Sequence, residues 1–206
     1  MTKIRGSVAE LAADLAGAGW AAQPGFLEDA DWRALARDAW SRWEEGDFRH
    51  AGVGRGADLR VRPEVRSDRV LWIDEAGATS AERRYLERIE SLRLALNEQA
   101  YLGLFRFEAH YAVYPPGAFY RRHLDRFRGA AHRIVSCVLY LNDDWQAADG
   151  GALRIYTSQE GEETRFEDVL PAGGQLVAFH SGRFYHEVLP ASRPRLSLTG
   201  WLCRRE

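Results

Sequence analysis

The stretch PRLSLTGWLC, residues 194–203, alternates residue by residue. Arg195, Ser197, Thr199 and Trp201 fall on one face of an extended strand, and Leu196, Leu198 and Leu202 on the other. Such a strand packs its leucines on an apolar layer and turns an arginine, two hydroxyls and an indole toward a pocket. Upstream, FRFEAHYAVY (105–114), FYRRHLDRF (119–127), HRIVSCVLYLN (132–142), GALRIYT (151–157) and GQLVAFH (174–180) repeat the period of two between turn-forming PPG, NDD, DGG, AGG, SGR and ASRP. Short strands at this regular spacing predict a sandwich or jelly roll over residues 104–206.

The first half reads differently. Val8, Leu11 and Leu15, then Trp32, Leu35, Ala39 and Trp43, recur at helical spacing, and Ser7 with Glu10 makes a capping box. A longer helix is predicted over about 80–100, with Tyr85, Ile89, Leu92, Leu96 and Gln99 as its inner stripe and Glu82, Arg83, Glu87, Arg88 and Arg93 outside. Residues 46–66 hold four glycines, a proline and five arginines, a composition that predicts a mobile loop or extended finger. Helices followed by strands make the chain α+β: one domain over 1–206, with 1–103 as mostly helical support and 104–206 as the β core.

Composition narrows the function. With 28 basic and 30 acidic side chains in 206 residues the net charge is −2, so no overall field draws nucleic acid or an anionic membrane. No apolar run reaches the ~18 residues of a membrane span, and Glu10 and Asp14 interrupt the N-terminal apolar residues, which predicts a cytoplasmic protein. Cys137 and Cys203 lie in apolar runs without metal or redox spacing and read as reduced, buried thiols.

His123 and Asp125 stand two apart in a strand-like run, so both project to one face at about the separation two ligands of one ion need. His186 lies on a distant run that a jelly roll can bring alongside, and two histidines with one carboxylate is the ligand set of non-haem Fe(II) oxygenases. An arginine on the pocket face, Arg195, needs an anion, and its planar fork suits a carboxylate. Tyr140, alternating with Val138 and Ser136, adds a hydroxyl to the same place. A small dicarboxylic ligand beside a metal is the expectation.

In this order, His123-x-Asp125, His186 and Arg195 resemble the Fe(II)- and 2-oxoglutarate-dependent dioxygenases. YPPGAFYRRHLDRF, RIVSCVLYLNDDW, GGALRI and HEVLPASRPRLSLTGW resemble the prolyl 4-hydroxylases, in the branch of the hypoxia-inducible factor prolyl hydroxylases and their small bacterial relatives. The loop followed by VRSDRVLWID also resembles that branch's substrate-covering finger. The resemblance implies a double-stranded β-helix buttressed by N-terminal helices. It implies iron on His123, Asp125 and His186, and 2-oxoglutarate held by Arg195, Tyr140, Tyr114 and Thr199. It also places Arg133, Trp201, Arg66 and Asp68 near a peptide substrate. The activity implied is hydroxylation at C4 of a prolyl residue in a protein, with O₂ as cosubstrate, succinate and CO₂ as products and ascorbate as an accessory. In the bacterial branch the first candidate partner is elongation factor Tu.

Other readings stand beside this one. The same chemistry on a free amino acid or a nucleic-acid base is the enzymatic alternative, and a non-catalytic metal-dependent sensor or binding module is a third. His50, His110 and His132 read as ordinary loop or strand residues, while His180, at the end of an apolar strand, competes with His186 as a ligand. GVGRGA (52–57) fits a dinucleotide-binding spacing formally but neither follows a buried strand nor opens a helix. The seven tryptophans read mostly as core, with Trp72 and Trp201 able to border a cleft.

Overall fold

A computed structural model of the chain describes residues 6–54, 60–126, 130–158 and 164–205. Three helices, α1 (Val8–Ala18), α2 (Asp29–Glu44) and α3 (Ser80–Ala100), support the strands. A seven-stranded antiparallel sheet carries, in spatial order, β1 (Trp20–Gln23), β11 (Leu176–His180), β8 (Arg133–Tyr140), β13 (Arg195–Cys203), β6 (Arg106–Tyr114), β5 (Arg69–Trp72) and β2 (Arg49–His50). A four-stranded sheet runs β10 (Phe166–Val169), β9 (Leu153–Tyr156), β12 (His186–Val188) and β7 (Tyr120–His123). Strands β3 (Gly52–Val53) and β4 (Arg60–Val61) pair as a separate hairpin. The expected jelly roll with helices against one sheet is what forms.

The alternation of β13 separates two cores. Leu196, Leu198 and Leu202, with Val135, Cys137 and Leu139 of β8, meet Leu11, Leu15, Trp32, Leu35, Tyr85, Ile89, Leu92 and Leu96 of the helices. On the opposite face Ala112, Tyr114, Val138, Tyr140, Val177 and Phe179 meet Leu153, Ile155 and Val188 of the smaller sheet. Burying a large aliphatic side chain contributes ~1.5–3 kcal/mol, so the leucine stripe fixes which way β13 faces. The polar face of that strand is thereby directed between the two sheets.

Several local expectations are corrected. Glu82 is buried, because its carboxylate accepts the Thr79 N–H at 2.7 Å while Thr79 Oγ1 accepts the Glu82 N–H, a capping box that opens α3. Gln99 is exposed, donating to the Ala9 carbonyl. The run FYRRHLDRF is extended only to His123; Asp125 lies beyond the strand. Strands β1 and β10 were not legible in advance. Each has four residues, and FEDV carries two acids, tied to β9 by a bidentate Arg154–Asp168 pair rather than by an apolar face.

The 46–66 segment is extended, as expected, and supplies β2, β3 and β4; its residues 55–59, within GVGRGA, lie outside the described ones. Its base is bonded to the strand bearing His123: the Arg121 N–H donates to the Val65 carbonyl and the Ser67 N–H to the Phe119 carbonyl. Both cysteines are free and buried, as expected. Among the described residues no helix is long and apolar enough to cross a membrane.

Candidate metal and cosubstrate site

His123 ends β7 and His186 begins β12, and the two are register partners across the smaller sheet. Asp125 joins them from the turn after β7. His123 Nε2 is 3.4 Å from Asp125 Oδ1 and His186 Nε2 is 3.6 Å from Asp125 Oδ2. Ligands on one ion at bonds of ~2.1 Å stand about 3 Å apart when adjacent, so a small contraction brings these atoms to ligand spacing. The far nitrogens are already committed. His123 Nδ1 donates to the Arg121 carbonyl at 2.7 Å and His186 Nδ1 to the Phe184 carbonyl at 3.1 Å, which leaves each Nε2 lone pair free to bind.

Asp125 is fixed by Ser136, whose hydroxyl donates to Oδ2 at 2.7 Å and lies 2.8 Å from Ser181 Oγ. Burial alone would raise the Asp125 carboxyl, but the His186 and His123 imidazoles outweigh it and hold the group well below the usual carboxylate range. Burial, reinforced by His186, lowers His123. An ionised carboxylate beside a His123 imidazole held below its usual range is the kind of donor pair a divalent cation requires. His180 takes no part in this cluster: it closes β11, and its N–H donates to the Gly19 carbonyl.

The cavity beside these residues, about 360 Å³, is lined among others by Tyr114, Leu153, Arg195 and Thr199. Arg195 is only 1% exposed. Its Nε donates to the Gly151 carbonyl at 2.8 Å and its guanidinium lies over the rings of Tyr114 and Tyr140, at 5.0 and 5.1 Å. Yet among the described residues Arg195 Nη2 and Tyr140 Oη are buried without a hydrogen-bond partner. Burial raises the Tyr140 hydroxyl to about 12 against the pull of Arg195, so it remains a donor. A buried guanidinium nitrogen and a buried phenol, both lacking a partner, are the donor pair that one carboxylate would satisfy. Gly151, at φ +68°, is needed here: a Cβ would meet the Ala191 side chain at 2.9 Å and Arg195 Cδ at 3.3 Å.

Toward the outside, Arg66 and Asp68 pair with each other, Nε–Oδ1 2.8 Å and Nη2–Oδ2 2.6 Å. Arg66 lines the cavity and stacks over Tyr120, whereas Asp68, 1% exposed, lies behind it as the countercharge. Arg133 lies 3.5 Å over the Trp201 ring and donates to Glu108. Trp72 is half exposed and Trp201 is buried. Sequence reading missed Ser136, Ser181 and Gly151, which act through other residues and carry no motif. It also missed a second group, Glu108 with His132 and Cys203, within ligand reach of one another. There the Glu108 carboxylate is engaged by Arg133 at 2.7 Å and Arg106 at 3.7 Å, which opposes a cation.

A model of the 2OG-Fe(II) oxygenase superfamily matches residues 109–203. Egl nine homolog 1 of Homo sapiens is 36% identical over 147 residues, covering 67% of this chain and 33% of that protein; for the Rattus norvegicus protein the values are 35%, 67% and 41%. The chain thus spans less than half the length of these curated relatives. A crystal structure of a Pseudomonas putida prolyl-4-hydroxylase is 47% identical and superposes with a TM-score of 0.85 over 97% of this chain and 100% of that one. A Trichoplax adhaerens prolyl hydroxylase, solved with a hypoxia inducible factor peptide fragment, is 25% identical with a TM-score of 0.82, over 95% and 88%. With likeness of this degree running the full length of a solved relative, the chain belongs to the 2OG-Fe(II) oxygenase superfamily.

Proposed function

We propose that this chain hydroxylates C4 of a prolyl residue in a protein substrate, using Fe(II), 2-oxoglutarate and O₂, with ascorbate as accessory reductant. The observation that carries it is the pair of unsatisfied donors, Arg195 Nη2 and Tyr140 Oη, buried beside the His123, Asp125 and His186 cluster. The likeness to two prolyl hydroxylases supports proline as the target. Elongation factor Tu is the first candidate substrate.

In this reading His123 Nε2, His186 Nε2 and one Asp125 oxygen would hold the iron. Bound iron with 2-oxoglutarate and O₂ supplies the oxidising chemistry, which the protein does not. Arg195 and Tyr140 bind the far carboxylate of 2-oxoglutarate, and the Gly151 carbonyl keeps the guanidinium oriented. Tyr114 and Thr199 line the path between. Ser136 keeps the Asp125 carboxylate turned toward the imidazoles. Val138, Leu153 and Val188 exclude water from the reacting centre. Arg66, Arg133 and Trp201 border the opening for the peptide, with Asp68 fixing Arg66. No side chain is required to gain or lose a proton during turnover.

Anaerobic addition of Fe(II) and 2-oxoglutarate should give a weak visible charge-transfer band in wild type and none in His123→Ala. Arg195→Ala should weaken 2-oxoglutarate binding about 30-fold or more, since truncating one partner of a buried charge pair costs ~2–5 kcal/mol, while metal binding persists. With O₂, a cell extract or elongation factor Tu should gain the mass of one oxygen atom on proline, with succinate released. Fe(II)-dependent succinate without hydroxyproline would point to another substrate; a folded protein giving no succinate would sink the enzymatic reading in favour of a binding module.

A further inference from the structure

We propose that Ser181 is a positioning residue for the metal site: its hydroxyl is the donor end of a two-hydroxyl relay, Ser181 to Ser136 to Asp125, that presets the carboxylate and ties it to the turn delivering His186. This rests on the metal assignment in the reading above and is independent of the substrate. Ser136 stands on β8 opposite Phe179 of β11 and Trp201 of β13, and shares its inward face with Val138 and Tyr140. Ser181 directly follows β11. Both serines are 0% exposed, so no bulk water competes for their hydroxyls. Alanine at either position would pack without burying a polar atom, whereas a buried hydroxyl is costly unless it is hydrogen-bonded.

Proton counting fixes the direction of the relay. A carboxylate that takes a divalent ion is ionised and only accepts. The Ser136 hydroxyl proton therefore points at Asp125 Oδ2, 2.7 Å away. A hydroxyl carries a single proton, so in the 2.8 Å contact between the two serines Ser136 accepts and Ser181 donates. Hydrogen bonds in a chain polarise one another, and donation from Ser181 makes Ser136 the stronger donor to the carboxylate. Asp125 Oδ2 is thereby engaged, and Oδ1, 3.4 Å from His123 Nε2, is the oxygen free of hydroxyl donors among the described residues.

The backbone around Ser181 shows what the relay connects. Its N–H donates to the Ile134 carbonyl of β8, and its carbonyl accepts the N–H of Arg126, the residue after Asp125, both at 3.0 Å. Gly182 packs against the same place: a Cβ there would lie 2.9 Å from Arg126 Cδ. The chain then turns through Arg183 and Phe184, whose N–H groups donate to the His180 carbonyl, and the Phe184 carbonyl accepts from His186 Nδ1. Ser181 thus stands where the Asp125 turn, β8 and the turn leading into His186 meet. Removing its hydroxyl leaves these backbone bonds in place and withdraws only the donor behind Ser136.

The test uses Mn(II), a divalent ion that imidazole and carboxylate also bind, added to metal-free protein without 2-oxoglutarate or substrate and followed by the EPR signal of the free ion. Ser181→Ala should weaken binding about two- to ten-fold, the range of one net hydrogen bond. Ser181→Cys, close in shape but a weak donor, should show a loss in the same direction and serves if the alanine variant does not fold. The same substitution is then made in Ser136→Ala, where the path from position 181 to the carboxylate is already cut, and should there change Mn(II) affinity less than two-fold. An equal loss in both backgrounds would show Ser181 acting through the fold rather than through Ser136, and no loss in the wild-type background would show that Ser136 needs no donor behind it; either overturns the relay while leaving the metal assignment intact. Wild type that binds Mn(II) no better than His123→Ala overturns that assignment and the relay with it.

Discussion

Ser136 contributes a single hydroxyl to the site, yet it sets where the Asp125 carboxylate points. Removing a group that orients a metal ligand typically lowers metal affinity ~10–100-fold. Ser136→Ala should therefore weaken Fe(II) binding by that factor in an anaerobic titration with the fold intact, and an unchanged affinity would mean the turn after β7 holds Asp125 unaided. His110 gives a residue-level prediction about pH. Its folded value of about 3 lies below the ordinary 6.5, so the unfolded chain takes up a proton that the folded chain refuses. Stability present above pH 6.5 is lost as pH falls toward 3, at up to ~1.4 kcal/mol per unit from this group. His110→Phe should flatten that limb: its urea midpoint should drop less than that of wild type between neutral pH and pH ~4. Parallel curves would show that His110 is not buried as described. The grouping of His123, Asp125 and His186 was expected from their order and spacing, and the fold brings the three within ligand reach of one another. Ser136, Gly151 and His110 belong to no motif, and only their neighbours disclose what they do.

Among the elements, β13 carries most of the site, and its starting register is clipped by one buried amide. Asn142 Oδ1 accepts the Leu196 N–H at 2.7 Å, and Nδ2 donates to the carbonyls of Leu196 and Pro171, each at 2.9 Å. Asn142→Ala removes the partner of the Leu196 N–H and of the Pro171 carbonyl, while the Leu196 carbonyl keeps the Leu141 N–H, a loss of ~2–4 kcal/mol. Because Leu196 adjoins Arg195, the variant should also bind 2-oxoglutarate more weakly; chemical denaturation and the visible titration measure the two effects separately. Close packing at Gly200 reinforces the same register, since a Cβ there would lie 2.3 Å from the Phe107 ring and 2.7 Å from the Glu108 carbonyl. The alternation that defines β13 is readable because one face is leucine. Strand β10 is not, because its pairing depends on β9 and an ion pair from another element rather than on its own pattern.

At the scale of the molecule, the finger's hairpin lies beside the cavity: Gly52, Val53 and Gly54 line its mouth, and the base at Val65 and Ser67 is bonded to the segment running into β7. A peptide occupying the outer cavity would contact this hairpin. Amide exchange at β3 and β4 should slow when a hydroxylatable peptide is added to the protein loaded with metal and 2-oxoglutarate, as expected where ordering of a low-stability segment accompanies binding. Unchanged exchange would place the peptide elsewhere.

Sequence alone determined the elements that carry strong periodicity, the three helices and the leucine-backed strands, because burial demands a repeating pattern that survives without knowledge of neighbours. It also determined the chemical inventory, two imidazoles, a carboxylate and an arginine in a known order. Only the tertiary structure decided that Asp125 meets the histidines from a turn rather than a strand, that Ser136 holds it, and that Asp68 lies behind Arg66. Those outcomes rest on distances between residues remote in the chain, which the pairing of the two sheets sets and no local pattern encodes. The same pairing leaves Arg195 Nη2, Tyr140 Oη, His110 Nδ1 and Trp201 Nε1 buried without a hydrogen-bond partner among the described residues, with Arg195, His110 and Trp201 on the lining of the adjoining cavities.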